Sequence, residues 1–254
     1  MIFNRHGLAL LASLLCGCSC SEPSAERAAP PQNTGGAQTA PPPRALTPKP
    51  EVRVVSLDVP DDLPVFALQG GNEEGVVGVV LHGHCGHGLG YLQAFQFAAA
   101  KYGRFVALQG DRPCDGALRS WSADPVRVDA RIRRSLTIYL GHPPPERILA
   151  VGSSLGAVVA IALSKKFPQR YDRLVLNSLF RQQSGSGLAG ARVWFFAGEH
   201  ENTWPARLTA ESWERAGVTT RFRSIESAGH SDFHGQGDRL MREAFAFVTN
   251  DAEF

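Results

Sequence analysis

A serine bracketed by glycines constrains the fold of this 254-residue chain more than any other feature. Residues 152–156 read Gly-Ser-Ser-Leu-Gly, and they stand between the apolar run 148–151 and the Ala- and Val-rich run 157–163. This context predicts a buried strand, a sharp turn and a helix, which is the arrangement of a nucleophile elbow. The glycines permit a tight turn at which the hydroxyl of Ser154 projects above the sheet. We therefore expect the chemistry of the protein to lie at this turn.

The rest of the chain alternates strand and helix patterns. Such alternation predicts an α/β fold with a mostly parallel, doubly wound central sheet and helices on both faces. An antiparallel hairpin is predicted at the sheet edge, from strands at 52–59 and 65–68, and further strands are predicted at 76–81, 104–108, 148–151, 173–177, 192–197 and 219–225. Helices are predicted at 91–102, 124–139, 155–167, 204–216 and 238–248. Asp124 is expected to cap the second helix and the prolines at 143–145 to end it. The segment 178–191 is short and rich in Gly and Ser, so we expect no lid domain there.

Residues 1–17 have the pattern of an export signal, because basic residues precede an apolar run that is too short to span a bilayer. The segment 15–18, Leu-Cys-Gly-Cys, resembles the lipobox of bacterial lipoproteins, and the resemblance implies that Cys18 becomes the lipidated N-terminus. Cys20 is a poorer alternative, and an ordinary secretory signal is the other interpretation. Ser19 would favour the outer membrane of a Gram-negative cell. We expect an exported protein that a lipid anchors to the membrane of the bacterial cell envelope.

Residues 18–50 are predicted to form a disordered tether. The stretch 21–50 contains eight prolines and no aromatic residue, so it cannot bury enough apolar surface to offset the entropy of ordering. The folded domain is therefore predicted at 51–254. The formal net charge of the chain is +2, which offers no electrostatic basis for binding nucleic acid.

A serine nucleophile needs a base that takes its proton and an acid that orients the base. On a scaffold with a nucleophile elbow, the expected chain order is Ser, acid, His. The predicted strand 192–197 leads into Glu199 and Glu201, and the last predicted strand leads into His230 and then His234. The candidate acid is thus Glu201 or Glu199, and the candidate base is His230 or His234.

These motifs resemble those of the α/β-hydrolase superfamily, in particular its small esterases of the dienelactone-hydrolase type. The resemblance covers most of 76–248 and rests on the G-x-S-x-G box, on the segment 198–205 and on the pair Gly229-His230. Aligned on the first and last residues of 198–205, the acid position of the superfamily falls on Glu201, with Glu where Asp is usual. The resemblance implies no cofactor and a catalytic triad of Ser154, Glu201 and His230.

The same resemblance implies an oxyanion hole. The predicted strand 76–81 ends in His82-Gly83-His84, where the superfamily carries its His-Gly loop. The backbone N–H groups of His84 and Leu155 are then expected to stabilise a tetrahedral oxyanion. The three histidines at 82, 84 and 87 also suggest a metal site, but no carboxylate stands near them in the sequence. We therefore expect no metal.

Two further pairs of side chains are expected near the site. Cys85 and Cys114 are predicted in loops after adjacent parallel strands, and export makes a disulfide between them plausible; two unrelated thiols are the alternative. Trp121 and Trp204 are expected beside the site, where they either form a wall for substrate or cover the core.

Three functions are compatible with these residues. The first is a serine hydrolase that cleaves a small-molecule carboxylic ester through an acyl-enzyme on Ser154. The second is a serine peptidase on the same fold, which the triad alone does not distinguish from an esterase. The third is a non-catalytic surface or scaffold protein that keeps the fold, and the Glu-for-Asp replacement is the one departure that favours it.

Overall fold

The structure is a computed structural model that describes residues 51–122 and 124–249. The predicted export signal 1–17, with Cys18 and the predicted tether 18–50, lies outside the described residues. In the part that the structure describes, no helix has both the length and the apolar character needed to cross a membrane.

Eight strands form the central sheet. In chain order the strands of the molecule are β1 (Arg53–Leu57), β2 (Val65–Gln69), β3 (Val76–Leu81), β4 (Gly103–Leu108), β5 (Arg112–Pro113), β6 (Arg119–Ser120), β7 (Leu149–Ser153), β8 (Arg173–Asn177), β9 (Arg192–Gly198) and β10 (Thr219–Ile225). The order across the sheet is β1-β2-β4-β3-β7-β8-β9-β10, and β5 pairs with β6 in a second sheet. Strand β2 runs antiparallel to both of its neighbours, whereas all other pairs of the large sheet are parallel. The predicted edge hairpin and the mostly parallel sheet are thus confirmed.

Helices cover both faces of this sheet. They are α1 (Gly88–Gln93), α2 (Gln96–Tyr102), α3 (Pro125–Leu140), α4 (Leu155–Lys166), α5 (Trp204–Arg215) and α6 (Gly237–Thr249). One core layer contains the buried residues of α3, α4 and α5, and the other contains those of α1, α2 and α6. Along β9, Val193 and Phe195 belong to the first layer while Trp194 and Phe196 belong to the second. The doubly wound arrangement is therefore confirmed as well.

Two helix predictions are wrong in detail. The segment 91–102, predicted as one helix, forms two short helices that are interrupted at Phe95. Phe95 leaves helical geometry, with φ −144° and ψ 30°, because its ring turns into the core against Phe245. Asp124 caps α3 as predicted, but the helix ends at Leu140, before the prolines, because Gly141 with a φ of 75° forms a left-handed C-cap.

The parallel strands direct their carboxyl ends to one edge of the sheet. The loops after β3, β7, β8, β9 and β10 therefore meet there, and each carries residues discussed below. The described segment 178–191 between β8 and β9 contains no helix or strand, so the edge has no lid from that segment.

Candidate active site

Ser154 occupies a strained turn between β7 and α4. Its φ of 52° and ψ of −114° lie outside the regions that residues with a Cβ normally adopt. Its backbone N–H donates to the carbonyl of Asn177 at 2.8 Å, which ties the turn to the end of β8. The flanking glycines are required by close packing, since a Cβ on Gly156 would lie 2.1 Å from the carbonyl oxygen of Leu81, and one on Gly152 would lie 2.5 Å from the carbonyl oxygen of Gly156. The G-x-S-x-G box therefore folds as the sequence predicts.

The side chains of Ser154, His230 and Glu201 are joined by hydrogen bonds. Ser154 Oγ lies 2.9 Å from His230 Nε2, and His230 Nδ1 lies 2.5 Å from Glu201 Oε2. The acid stands on the loop after β9 and the histidine on the loop after β10. The Glu201 side chain is 8 % exposed, whereas the His230 side chain is 48 % exposed. A buried carboxylate thus faces one ring nitrogen, and the serine hydroxyl faces the other.

The alternative acid and base stand apart from this chain. The exposed Glu199 accepts a hydrogen bond through Oε2 from the backbone N–H of Ser227 at 3.0 Å. The exposed His234 donates its backbone N–H to Asp232 at 2.8 Å. Of the residues considered in the sequence, the structure brings Glu201 and His230 to the nucleophile.

Glu201 has two further partners. Its Oε1 accepts hydrogen bonds from the backbone N–H of Gly198 and from the hydroxyl of Ser178, both at 2.7 Å. Ser178 is a site residue that no motif in the sequence marks. The available signal was its position directly after β8, at the same sheet edge as the elbow.

The His-Gly loop, residues 82–87, passes beside Ser154. A Cβ added to Gly83 would lie 3.3 Å from the Cβ of Ser154, so the loop backbone approaches the nucleophile closely. Among the described residues, none accepts a hydrogen bond from the backbone N–H of His84 or of Leu155. Neither predicted oxyanion donor is thus paired with another described residue, and His84 lines the cleft at Ser154.

Comparison with known proteins identifies the fold. No protein-family profile matches the chain, and no curated protein matches it. A solved structure described as a predicted CIB-like hydrolase from Thermoplasma acidophilum is 16% identical, with a TM-score of 0.59 over 79% of this chain and 99% of that one. The naproxen esterase (carboxylesterase NP) from Bacillus subtilis is 13% identical, with a TM-score of 0.54 over 76% and 92% of the two chains. The 2-hydroxy-6-oxo-6-phenylhexa-2,4-dienoate hydrolase from Rhodococcus sp. strain RHA1 is 13% identical, with a TM-score of 0.56 over 77% and 99%. The chain has the α/β-hydrolase fold.

Within this α/β-hydrolase fold, His82 is a buried residue that shapes the His-Gly loop. Its Nδ1 donates to the carbonyl of Gly83 at 2.7 Å, and its Nε2 accepts the backbone N–H of Gly110 at 2.9 Å. Burial lowers the pKa of His82 to about 4, so the ring is neutral at neutral pH. Because both ring nitrogens are engaged, His82 cannot ligate a metal together with His84 and His87.

A disulfide connects the His-Gly loop to the segment after β4. The structure joins the two predicted cysteines, Cys85 and Cys114, with their Cα atoms 5.6 Å apart. Next to the disulfide, Gly86 forms an antiparallel bridge with β6, and His84 Nδ1 lies 2.8 Å from the hydroxyl of Ser120 in the same strand. His84 lies close to both sulfur atoms, but a disulfide offers no thiolate to a metal.

A cleft of about 630 Å³ opens at Ser154. It lies between the His-Gly loop and α1 on one side and the loop 230–237 on the other. Tyr91 and Phe233 supply its aromatic surface, with their ring centroids 5.5 Å apart. Among the described residues that line the cleft there is no lysine or arginine.

Neither tryptophan proposed as a pocket wall lines this cleft. Trp121 is buried, and its indole N–H donates to the carbonyl of His82 at 2.7 Å. The side chain therefore supports the His-Gly loop from the interior. Trp204 begins α5 and is 67 % exposed. Tyr91 and Phe233 supply the aromatic wall that we expected from the two tryptophans. The signal for Phe233 was its position three residues after His230.

Proposed function

We propose that this protein is a serine hydrolase that cleaves carboxylic esters through an acyl-enzyme on Ser154. The observation that supports the proposal most is the hydrogen-bond chain from the Ser154 hydroxyl through His230 to Glu201. A serine hydroxyl is a weak nucleophile unless a base is within reach, and this geometry supplies the base. The esterase from Bacillus subtilis named above shares the fold, which is compatible with the same reaction class.

In the acylation step, His230 Nε2 takes the proton of the Ser154 hydroxyl while the oxygen attacks the ester carbonyl carbon. The carbonyl electrons move to the oxygen, and the backbone N–H groups of His84 and Leu155 donate to the oxyanion; each such donor is typically worth about 3 kcal/mol. When the intermediate collapses, His230 returns the proton to the departing alcohol oxygen. An alcohol and an acyl-enzyme result.

In the deacylation step, His230 takes a proton from water, whose oxygen attacks the acyl carbon. The second tetrahedral intermediate collapses as His230 returns the proton to Ser154 Oγ. The products are a carboxylic acid and the free enzyme, so the cycle consumes only the ester and water.

Glu201 holds the base ready for both steps. Its Oε2 accepts the Nδ1–H of His230, which leaves the lone pair on Nε2 for the serine proton, and its charge stabilises the imidazolium that forms. The carboxylate is anchored by Gly198 and Ser178, which restrain the extra methylene of a glutamate in place of an aspartate.

The cleft favours a neutral ester with an apolar group. Tyr91 and Phe233 offer aromatic surface next to the nucleophile, and the described lining has no lysine or arginine that would pair with a substrate carboxylate. The proposed substrate is therefore an uncharged ester that places its apolar group against these rings.

The proposed place of action is the bacterial cell envelope. The pattern of residues 1–17 and the lipobox-like segment before Cys18 support export and lipidation, and 18–50 would then be the tether. We expect a Cys18→Ala variant to leave the membrane fraction of the producing cells, while the wild-type chain stays in it.

Hydrolysis assays test the proposed reaction. We expect the full chain, purified in detergent, to hydrolyse p-nitrophenyl acetate, and the Ser154→Ala variant to lose a factor of about 10⁴ or more in kcat. Ser227→Ala, which changes an exposed serine on the histidine loop, is the matched control and keeps the wild-type rate. Equal rates for wild type and Ser154→Ala would contradict the proposal.

A further inference from the structure

Three serines outside the triad form a second hydrogen-bond chain beside it. Ser153 Oγ donates to Ser231 Oγ at 2.9 Å, and the backbone N–H of Ser231 donates to Ser178 Oγ at 2.8 Å. Ser178 Oγ then donates to Glu201 Oε1 at 2.7 Å. The first of these serines precedes the nucleophile in the chain, the second follows the base, and the third binds the acid.

The shorter of the two contacts that the Ser178 hydroxyl makes as a donor goes to the acid, because its oxygen lies 2.7 Å from Glu201 Oε1 and 3.3 Å from Asn177 Oδ1. Asn177 Nδ2 in turn donates to the Tyr91 hydroxyl at 3.2 Å. Ser153 and Ser178 are both buried, so their bonds act where water does not screen them. Oε1 of the carboxylate thus accepts the Ser178 hydroxyl and the Gly198 N–H, which leaves Oε2 for His230.

Ser178 keeps a backbone conformation that disfavours serine. Its φ is 55°, and that of Ser231 is 61°, a region that glycine adopts freely and residues with a Cβ do not. Positive φ alone does not indicate a role, because the exposed Ser227 has a φ of 57° as well. Ser178 is distinguished by its buried hydroxyl, which is hydrogen-bonded both to Glu201 and to the backbone N–H of Ser231.

We propose that Ser178 is the positioning residue of the catalytic acid and that it couples the acid to the loop of the base. Its hydroxyl donates to Glu201 and accepts from the backbone N–H of the residue after His230. One oxygen atom therefore joins the acid to the loop after β10, next to the backbone bond from His200 to Ala228 that also connects the two loops. The inference rests on the proposed function, since positioning has a kinetic effect only if Glu201 and His230 take part in the reaction.

Three glycine variants of the full chain test this role with p-nitrophenyl acetate as substrate. Glycine removes the hydroxyl and accepts a positive φ, so backbone strain is not added at any of the three positions. We expect Ser178→Gly to lower kcat about tenfold with KM unchanged, as for loss of a hydrogen bond to a charged group. Ser231→Gly keeps the backbone N–H and gives a smaller loss. Ser227→Gly, the matched control, keeps both the rate and the melting temperature of the wild type.

The outcomes separate this inference from the proposed function. A folded Ser178→Gly variant with wild-type kcat, or with a change in KM alone, overturns the positioning role while the hydrolase reaction stands. A wild-type chain that hydrolyses no ester overturns both. If Ser178→Gly does not fold, Ser178→Ala, which also removes the hydroxyl, decides, and a kcat equal to that of Ser227→Ala overturns the inference.

Discussion

The two halves of the candidate site are held in place by different interactions. The His-Gly loop, residues 82–87, is fixed by the Cys85–Cys114 disulfide, by a backbone bridge to β6 and by the buried His82. The loops that carry Glu201 and His230 are held to each other by hydrogen bonds, through Ser178, through Glu199 and through the backbone of His200 and Ala228. The difference matches what each half contributes. A backbone N–H donor can be aimed only by fixing its loop, whereas a carboxylate or an imidazole is aimed through side-chain partners.

The largest expected effect comes from the hydrogen-bonded half. Glu201→Gln keeps the shape of the side chain but removes the charge and disfavours the Nδ1–H tautomer of His230, so we expect kcat to fall by a factor of about 10³–10⁴. Glu199→Gln is the matched control and leaves kcat within about twofold of the wild type. Steady-state hydrolysis of p-nitrophenyl acetate measures both. Equal losses in the two variants would contradict the assignment of the acid.

The covalently fixed half is tested by removing the disulfide. The two cysteines are separated by 29 residues, so the Cys85→Ser/Cys114→Ser variant is expected to lose about 3–4 kcal/mol of unfolding free energy in the chain-entropy account. The backbone donor of His84 then loses its fixed position, and kcat falls by about tenfold or more. Dithiothreitol should reproduce both changes in the wild type and have no effect on the double variant. A wild type that reduction leaves unchanged would show that the other contacts suffice to hold the loop.

His82 should make stability depend on pH. Its pKa falls from 6.5 to about 4 on burial, so the unfolded chain binds more protons between these pH values. The neutral His82 therefore contributes about 3 kcal/mol to the free energy of unfolding above pH 6.5. This contribution is lost as the pH falls toward 4. Urea unfolding at a series of pH values measures it. His82→Gln should flatten this part of the profile, whereas His142→Gln, at an exposed histidine, should not.

The smallest expected effect concerns substrate choice. Gly90 lines the cleft from α1, and a Cβ added there meets no atom within 4 Å, so packing does not require glycine at this position. We expect Gly90→Phe to lower kcat/KM for p-nitrophenyl octanoate about tenfold and to change the value for the acetate little. Gln93→Phe places the same ring on an exposed position of the same helix, outside the cleft, and should change neither. A uniform loss on both esters in Gly90→Phe would contradict a steric role.

Strands and the elbow were predictable because their signals are local. Alternating or continuous apolar runs located β8 and β10 with the bounds that the structure has, and two glycines located the turn at Ser154. The break at Phe95 was not predictable, since its cause is the packing of its ring against a helix far along the chain.

The site was predictable only where a motif marked it. Glu201 and His230 stand after the strands that the chain order required, and the structure places them together. Ser178 reaches Glu201 across 23 residues and Tyr91 meets Phe233 across the cleft, and such contacts depend on loop geometry rather than on spacing in the sequence. The position of Trp121 in the interior also depends on loop geometry rather than on spacing in the sequence.

Labelling with a fluorophosphonate probe, followed by intact-mass analysis, tests most directly whether Ser154 is an activated nucleophile. The full chain and its Ser154→Ala variant are treated in parallel, and circular dichroism confirms that both are folded. We expect a single adduct on the wild type and none on the variant. A folded wild-type chain that takes no adduct, or a Ser154→Ala variant that takes the same adduct, would contradict the serine-hydrolase account.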